Sequence, residues 1–446
     1  MNTQSPLSAD RMHAVTPETR DLVDLVLDYS RRRILSTDTP LDKPLPEHEL
    51  RRLAGQTVSE GGMGAERALA VFEHVLAPAC ITTDHPQYLS FIPTAPTKAA
   101  TAFDLAVSAS AVYAENQVLS FLAAEFGLPA TAGGVFVQGG TLGNLSALVA
   151  ARDHARADGR SPSDRWVIVC SAEAHSSVAS AARVMDVDVV PVSPGESGVL
   201  TGEAVRPALE EYGDAVFAVV ATGGSTNFGI VDDIASIAAL KDDFPFWLHV
   251  DGAYGLAGML SPLARPRFAG VEHADSVIVD PHKWLFAPFD ACALIYRDPE
   301  SGRRAHTQHA EYLDTLTDAA EWSPSDYAIP LTRRARGLPF WFSLASHGAA
   351  AYRDAVTASL RLAERIATEI ERRDGFRLVR KPQLSVVVFE RDGWTREDYA
   401  LWSARLLDEQ RAFVTPSSHA GRPNTRFAIL NPLTTFEDLV AILDTM

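Results

Sequence analysis

Short apolar runs alternate with longer amphipathic stretches between about residues 60 and 300. Apolar residues dominate seven short runs, which we predict to be strands: 134–138, 166–170, 187–191, 216–221, 247–250, 276–279 and 291–296. Strands that are almost wholly apolar are buried on both faces, as in a largely parallel sheet. The stretches between them, such as 142–155 and 176–185, predict helices. The pattern therefore indicates an α/β fold with helices on both faces of the sheet.

The pattern changes towards both ends of the chain. Residues 1–14 are predicted to be disordered, and Thr16 is expected to cap a helix that has Pro17 at its first position. The proline-rich run 36–49 predicts an extended connector. The last hundred residues predict two helices and two strands, at 340–372, 395–411, 384–390 and 425–430.

Three parts follow from these patterns. Residues 1–60 form an N-terminal arm and helix, which we expect to contact a partner subunit. Residues 61–335 form a large α/β domain, and residues 336–446 form a smaller C-terminal α+β domain. This division agrees with a length of 446 residues, which is too long for one hydrophobic core.

Composition excludes several classes of function. The formal net charge of −17 argues against a nucleic-acid partner, because an acidic protein repels phosphate backbones. The three cysteines (Cys80, Cys170 and Cys292) are widely spaced, which argues against a disulfide framework and a metal site and favours burial as small apolar side chains. No run is apolar enough to cross a membrane, and the N-terminus lacks a signal-peptide core. We expect a soluble, cytoplasmic protein.

Lys283 is the first candidate for chemistry. It lies in DPHKWL (280–285), directly after a predicted strand, where the sheets of α/β proteins bind ligands. A surface lysine at a strand end is the simpler interpretation of this residue alone. However, the neighbouring Pro281, His282 and Trp284 predict an apolar setting and a lowered lysine pKa, which suits a lysine that forms a Schiff base.

Asp251 ends the predicted strand in FWLHVDGAYG (246–255), at the same edge of the sheet. A carboxylate there could pair with the pyridinium nitrogen of pyridoxal 5′-phosphate (PLP), or it could cap the next helix. The small residues Gly252 and Ala253 would let a flat ring approach the backbone.

Three other segments offer cofactor contacts. The turn Gly139-Gly140-Thr141 joins a strand to a helix, which suits a phosphate, although a lone glycine-rich turn is a weak signal. His175 starts a helix, where it could stack on a cofactor ring or act only as a cap. Thr226 follows another strand among small hydroxyl residues. No single segment is decisive, and their order along the chain carries the interpretation.

In that order the segments resemble the group II PLP-dependent amino-acid decarboxylases, from about residue 78 to residue 352. DPHKW (280–284) is the most specific of the matching motifs. The others are AHSSV (174–178), HVDGAYG (249–255), HPQYLSFIPT (85–94) and IPLTRRARGLPFWF (329–342). The resemblance implies fold type I, with a mostly parallel central sheet, a smaller C-terminal domain and a homodimer whose sites lie at the subunit interface.

The resemblance also implies roles for individual residues. Lys283 would hold PLP as a Schiff base, Asp251 would pair with the pyridinium, and His175 would stack on the ring and influence protonation. The other implied cofactor contacts are Gly140, Thr141 and Asp280 at the phosphate, Thr226 and Ala253 at the ring, and His282. The implied substrate contacts are His85, Phe91, Ile92 and Thr94, with Thr94 near the substrate carboxylate.

Two features bear on the reaction and its substrate. Many relatives carry a proton-donating tyrosine on a mobile loop, where alignment from IPL places Pro324 in this chain; Trp322 and Tyr327 are near but do not align. The resemblance predicts an L-amino-acid decarboxylase, and the loop sequence motivates the first alternative, an oxidative, aldehyde-forming decarboxylase. Two further alternatives are another PLP-dependent lyase or transaminase, and a protein that only binds. Phe91 and Ile92 favour an aromatic or apolar substrate, although both could equally be core residues.

Overall fold

The computed structural model describes residues 15–55, 63–79, 81–92, 94–104, 111–162, 164–308 and 322–446. The predicted disorder of residues 1–14 and the predicted burial of Cys80 lie outside these ranges. Cys170 and Cys292 are buried free thiols, as the sequence predicts.

A seven-stranded sheet forms the centre of the larger part of the fold. Its strands are β1 (Gly133–Val137), β2 (Val167–Ser171), β3 (Asp188–Val192), β4 (Val216–Thr222), β5 (Trp247–Asp251), β6 (Ser276–Val279) and β7 (Cys292–Tyr296). Their order is β1-β7-β6-β5-β4-β2-β3. Only β7 runs antiparallel to its neighbours in this sheet, so the predicted mostly parallel sheet is confirmed.

Helices cover both faces of this sheet, because successive strand residues point to opposite sides. On β2, for example, Ile168 packs with one face and Val169 with the other. The helices along this part of the chain are α1 (Pro17–Leu35), α2 (Glu47–Ala54), α3 (Ala65–Val71), α4 (Lys98–Phe103), α5 (Ala111–Glu125), α6 (Gly140–Ala157), α7 (Ser176–Met185), α8 (Gly202–Tyr212), α9 (Ile234–Ala239) and α10 (Pro299–His306). The helices α6 and α7 lie on one face, and α5, α8 and α9 lie on the other.

A second, antiparallel sheet follows the long helix α11 (Leu338–Arg372). Its strands are β8 (Phe376–Leu378), β9 (Val386–Arg391), β10 (Pro416–His419) and β11 (Arg422–Ala428), in the order β10-β11-β9-β8. The helices α12 (Arg396–Asp408) and α13 (Phe436–Leu443) complete this smaller unit. The sequence pattern predicts β9 and β11 but misses β8 and β10, which are three or four residues long. The proposed boundary at residue 336 stays a prediction.

The N-terminal helix begins as predicted. Thr16 accepts a hydrogen bond from the amide of Thr19, and Pro17 is the first helical residue. No residue of α1 is buried. The connector after it contacts its own chain, because the amide of Asp42 donates to Gln410 and Lys43 pairs with Asp408. Among the described residues, no helix is both long and apolar enough to span a bilayer.

Candidate active site

A cavity of about 300 Å³ opens at the carboxyl ends of β4, β5 and β6, beside the N-terminus of α6. Its walls are formed by Gln138, Gly139, Gly140, Thr141, Asn144, His175, Thr222, Gly224, Thr226, Asp251, Ala253, Tyr254, Asp280, His282, Lys283 and Asp290. Ligands bind at this edge of an α/β sheet because the loops after parallel strands converge there.

The structure brings all nine predicted cofactor residues to this one cavity. They are Gly140, Thr141, His175, Thr226, Asp251, Ala253, Asp280, His282 and Lys283. The sequence separation between the first and the last of them exceeds one hundred residues, so the parallel strands, and not chain proximity, bring them together. Their roles towards a cofactor stay predictions.

The turn before α6 forms a narrow cradle. The helix begins at Gly140, so its positive N-terminal end faces the cavity. A Cβ atom at Gly140 would lie 3.2 Å from both Ala253 Cβ and Asp280 Oδ2. Only glycine leaves this space free, and the free space next to a helix N-terminus fits a phosphate group.

Lys283 is half-buried and pairs with a buried carboxylate. Its Nζ lies 2.9 Å from Asp280 Oδ2, which also accepts a hydrogen bond of 3.3 Å from the amide of Gly140. Burial alone would lower the lysine pKa, but the charge and hydrogen bond of Asp280, together with the charge of Asp251, raise the pKa above its usual value. The predicted lowered lysine pKa is therefore wrong, because sequence neighbours alone could not reveal the nearby carboxylates.

Asp251 lies deep in the cavity and accepts two hydrogen bonds. Asn144 Nδ2 donates to Asp251 Oδ2 at 2.8 Å, and the amide of Ala253 donates to Asp251 Oδ1 at 3.2 Å. Gly252 is small for a different reason than predicted: a Cβ atom there would lie 2.1 Å from Leu256 Cγ. Helix packing therefore requires this glycine, whereas Ala253 lines the cavity.

Asn144 connects Asp251 to other buried polar groups. Its Nδ2 also donates to Ser177 Oγ at 2.8 Å, and its Oδ1 lies 2.8 Å from His249 Nε2. His249 Nδ1 in turn lies 2.8 Å from Ser276 Oγ. Asn144, His249 and Ser276 are each at most 1% exposed. The sequence analysis did not select any of them.

His175 caps α7 and lines the cavity at the same time. Its Nδ1 accepts a hydrogen bond of 3.2 Å from the amide of Ser177 and lies 2.8 Å from the Ser177 hydroxyl. The capping role and the cofactor-facing position were alternatives in the sequence, and the structure places the residue where both are possible.

Two residues missed by the sequence analysis lie at the edge of the cavity. Asp290 lines it and accepts a hydrogen bond of 2.9 Å from Arg336 Nε. Phe289, which is 54% exposed, contacts His282 with a ring-centroid distance of 5.2 Å. An exposed aromatic side chain at a cavity edge offers an apolar surface to a ligand. The FAPFD segment after the lysine motif was the available signal.

Arg426 is a third missed residue. It projects from β11 and donates to the carbonyl oxygen of Thr226 at 2.5 Å, so it lies directly behind the cavity wall. It is 9% exposed, and no carboxylate among the described residues forms an ion pair with it. An uncompensated buried guanidinium attracts anions. The sequence offered only a basic residue inside an apolar strand, TRFAIL (425–430).

The predicted substrate segment lies against the smaller unit. The amide of Leu89 donates to the carbonyl of Phe413, and the amide of Ala428 donates to the carbonyl of Leu89. None of His85, Phe91, Ile92 and Thr94 lines the cavity. Phe91 is 56% exposed, whereas Ile92 and Thr94 are buried. Their role in substrate binding stays a prediction.

The aromatic residues near the end of the loop lie away from the cavity. Trp322 stacks on Tyr327 with ring centroids 4.0 Å apart, and Trp322 Nε1 donates to the carbonyl of Gly134 on β1. Neither ring lines the cavity. Pro324 begins a short 3₁₀ helix. The loop itself, residues 309–321, lies outside the described residues.

A family model described as the pyridoxal-dependent decarboxylase conserved domain matches residues 46–391. The chain belongs to this family. The predicted family, the predicted fold and the predicted PLP cofactor are thereby confirmed. Bound PLP withdraws electrons from the substrate carbon that loses a group.

The relatives of this decarboxylase-family chain differ in substrate and product. The aromatic-L-amino-acid decarboxylase of Bacillus atrophaeus is 27% identical, over 99% of this chain and 96% of that protein. The phenylacetaldehyde synthase of Petunia hybrida is 28% identical, over 64% of this chain and 60% of that protein. A crystal structure of Oryza sativa TDC with PLP and tryptamine shares the fold, with a TM-score of 0.85, 24% identity and 99% coverage of each chain.

The residues of the cavity fit PLP. The cradle at Gly140 has room for a phosphate and has a helix N-terminus behind it. His282 stands next to this cradle, because a Cβ atom at Gly139 would lie 3.8 Å from its ring. Lys283 and Asp251 line the same cavity and would supply the amine and the carboxylate that the aldehyde and the ring nitrogen of PLP require.

Acid should destabilise the protein through His249. Burial lowers the pKa of His249 to about 4, against a weaker opposing effect of Asp251. An unfolded histidine titrates near pH 6.5. The stabilising contribution of neutral His249 is therefore present above about pH 6.5 and is lost as the pH falls towards 4. The expected loss is about 3 kcal/mol.

A second buried group, Asp232, changes stability in the opposite direction over the same pH range. Burial raises the pKa of Asp232 to about 7, so its contribution to stability is full below about pH 3.8 and is lost as the pH rises towards 7. The two contributions oppose each other, and the wild-type curve alone is not informative. The free energy of unfolding should instead be measured for the wild type and for His249→Gln between pH 4 and pH 7. A difference that does not change with pH would contradict the prediction.

Proposed function

We propose that the chain decarboxylates an L-amino acid with an aromatic or other apolar side chain. The observation that carries this proposal is the meeting of Lys283, Asp251 and His175 in one cavity beside a phosphate cradle. A protein that only binds a ligand would need neither the amine nor the carboxylate.

Each residue has a defined task in this proposal. Lys283 would hold the cofactor aldehyde through its amine, the group that a substrate amine would replace. Asp251 would keep a proton on the ring nitrogen by its negative charge. Gly140, Thr141 and His282 would hold the phosphate and so orient the ring towards the substrate.

Two observations support an apolar substrate. Phe289 presents an exposed aromatic face next to the cavity residue His282. Among the described residues, Lys283 is the only lysine or arginine that lines the cavity wall, and it is assigned to the cofactor. A substrate with an acidic side chain would need a further cation at the wall itself, whereas Arg426 lies behind the wall and donates to the carbonyl of Thr226. The aromatic-L-amino-acid decarboxylase of Bacillus atrophaeus also matches 99% of this chain.

Product analysis tests the proposal. The PLP-loaded protein should be incubated in air with a panel of aromatic, aliphatic, acidic and diamino L-amino acids, and the products identified by mass spectrometry. We expect an amine that differs from an aromatic or aliphatic substrate only by loss of carbon dioxide. Preference for an acidic or diamino substrate would refute the substrate class, and a 2-oxo acid product would indicate transamination.

The placement of the loop-end aromatic residues favours a second candidate, oxidative decarboxylation to an aldehyde. Neither Trp322 nor Tyr327 lines the cavity to supply a proton. Without a proton donor, the amino acid would react with one molecule of oxygen and one of water, and the products would be an aldehyde, ammonia, carbon dioxide and hydrogen peroxide. Peroxide formed in a 1:1 ratio with carbon dioxide would establish this reaction in place of amine formation.

We propose that the chain functions as a homodimer. The exposed apolar residues of α1 include Leu22 and Leu27, which are 45% and 48% exposed. Several exposed apolar side chains on one helix indicate a contact surface.

Charge on α1 should therefore weaken the dimer. The double variant Leu22→Asp/Leu27→Asp is expected to shift the protein towards the monomer, because two carboxylates would have to be desolvated in the contact. Light scattering after size-exclusion chromatography gives the mass. Leu401→Asp, at a leucine of α12 that is 64% exposed, is the matched control. An unchanged dimer mass in the double variant would show that α1 is not part of the contact.

A further inference from the structure

A chain of buried hydrogen bonds connects Trp247 to Asn144 through Ser276 and His249. It begins at Trp247, whose indole Nε1 can only donate and lies 2.8 Å from Ser276 Oγ. Ser276 accepts from Trp247 and can donate its own proton to His249 Nδ1, 2.8 Å away. The low pKa of His249 keeps the ring neutral, so its one proton lies on Nε2.

The chain of hydrogen bonds continues to Asn144, where it branches towards Asp251 and Ser177. His249 Nε2 donates to Asn144 Oδ1, so the amide nitrogen of Asn144 faces the opposite way. This nitrogen donates one hydrogen to Asp251 Oδ2 and the other to Ser177 Oγ. A flipped amide would place an oxygen against the Asp251 carboxylate and is excluded by repulsion.

The branch through Ser177 determines the state of His175. Because Ser177 Oγ accepts from Asn144, its own proton is directed to His175 Nδ1, 2.8 Å away. The amide of Ser177 donates to the same nitrogen. A nitrogen that accepts two hydrogen bonds carries no proton. The proton of neutral His175 therefore lies on Nε2, the ring nitrogen that Ser177 leaves free.

We propose that Asn144 and Ser177 are positioning residues that hold His175 as the neutral Nε2–H tautomer. In the proposed reaction, on which this role rests, His175 then serves as a hydrogen-bond donor and is not the source of the proton that the product carbon receives. Release of the Nε2 proton would leave a negatively charged imidazolate. A second ring proton would have to lie on Nδ1, where the hydroxyl and the amide of Ser177 already direct their hydrogens. The proton must come from another group.

Nitrogen-15 NMR tests the tautomer without reference to activity. The spectra would be recorded on PLP-loaded protein with labelled histidine, and the His175 signals assigned by their loss in His175→Gln. We expect Nε2 protonated and Nδ1 unprotonated. A Nδ1–H tautomer, or a doubly protonated ring at neutral pH, in the wild type would overturn the proposal.

The isosteric variant Asn144→Asp should reverse the hydrogen bond between residue 144 and Ser177. Its new oxygen cannot donate to both Asp251 and Ser177, so the Ser177 hydroxyl must turn towards residue 144 and present a lone pair to His175 Nδ1. We expect the Nδ1–H population to rise by roughly fivefold to tenfold, as loss of one hydrogen bond predicts. Ser177→Ala should act in the same direction, and Ser177→Thr, which keeps a hydroxyl, should restore the wild-type ratio.

A control separates this role from a purely structural one. Ser343 is equally buried and lies within 2.6 Å of the Tyr352 hydroxyl, away from the network. Ser343→Ala should lower the melting temperature without changing the tautomer ratio of His175. Equal tautomer ratios in Asn144→Asp, Ser177→Ala and the wild type would contradict the positioning role.

Turnover supplies the second readout. His175→Gln keeps a side-chain N–H donor, and His175→Phe keeps only a flat ring. If His175 donates a hydrogen bond, the glutamine variant should keep kcat within about tenfold, and the phenylalanine variant should lose roughly a hundredfold. Equal loss in both variants would contradict the donor role. Absence of any product from the wild type would instead refute the proposed function and leave the NMR result unaffected.

Discussion

Lys283→Ala is expected to abolish turnover, with a loss of at least about a thousandfold. Lys283 is the only lysine on the wall of the described cavity, and its Nζ is held 2.9 Å from Asp280 at the sheet edge. Without this amine, the cofactor can be held only by its phosphate and ring contacts. The measurements are product formation and the visible absorbance of protein-bound PLP after dialysis.

Lys241→Ala is the matched control for this variant. Lys241 also pairs with an aspartate, since its Nζ lies 2.6 Å and 2.7 Å from the two carboxylate oxygens of Asp275, but it does not line the cavity. Loss of this ion pair should leave turnover near the wild-type level. Full activity in Lys283→Ala would refute both the covalent attachment and the proposed function.

The sequence predicts the central sheet well because most of its strands are apolar runs, and some of these runs also end at glycines. The strand β4, for example, is apolar from Val216 to Ala221 and is bounded by Gly213 and by Gly223-Gly224. Burial on both faces produces the apolar run, and the turns at its ends require glycine. The strands β8 and β10 lack a long apolar run, since each is short and partly exposed.

The sequence also predicts which residues surround the cavity, because strand ends in a parallel sheet meet at one edge. It does not predict how those residues interact. The Lys283–Asp280 pair reverses the direction of the expected lysine pKa shift. In the sequence, Asn144 is indistinguishable from an ordinary polar residue of a helix. In the structure it connects Asp251 to His175 through Ser177. These contacts depend on distances between elements, which no local pattern encodes.

The substrate side of the cavity is the least predictable part for the same reason. The segment that contains Phe91 is bound to the smaller unit through Phe413, more than three hundred residues later in the chain. Arg426 reaches the back of the cavity wall from the same unit. A periodic pattern reports which face of an element is buried, but not which other element covers that face.

Asp251→Asn should lower kcat by roughly a hundredfold to a thousandfold, the range for loss of one preorganised electrostatic group. The variant removes the negative charge that we propose holds a proton on the cofactor ring. It also disturbs the hydrogen bonds at this position, because Asp251 accepts one on each oxygen, from Asn144 and from the amide of Ala253. An asparagine there must turn its own NH₂ group towards one of these donors.

The control for Asp251→Asn is Asp232→Asn, because Asp232 is also buried and accepts hydrogen bonds on both oxygens, from the amides of Leu200 and Thr222. Both variants should lose stability, since each exchanges an acceptor for a donor. Only Asp251→Asn should also change the absorbance of bound PLP, because only that residue faces the cavity. Turnover should be compared well below both melting temperatures. An equal loss of kcat in the two variants would mean that Asp251 acts through stability alone, and the assignment of its charge to the cofactor ring would then fail.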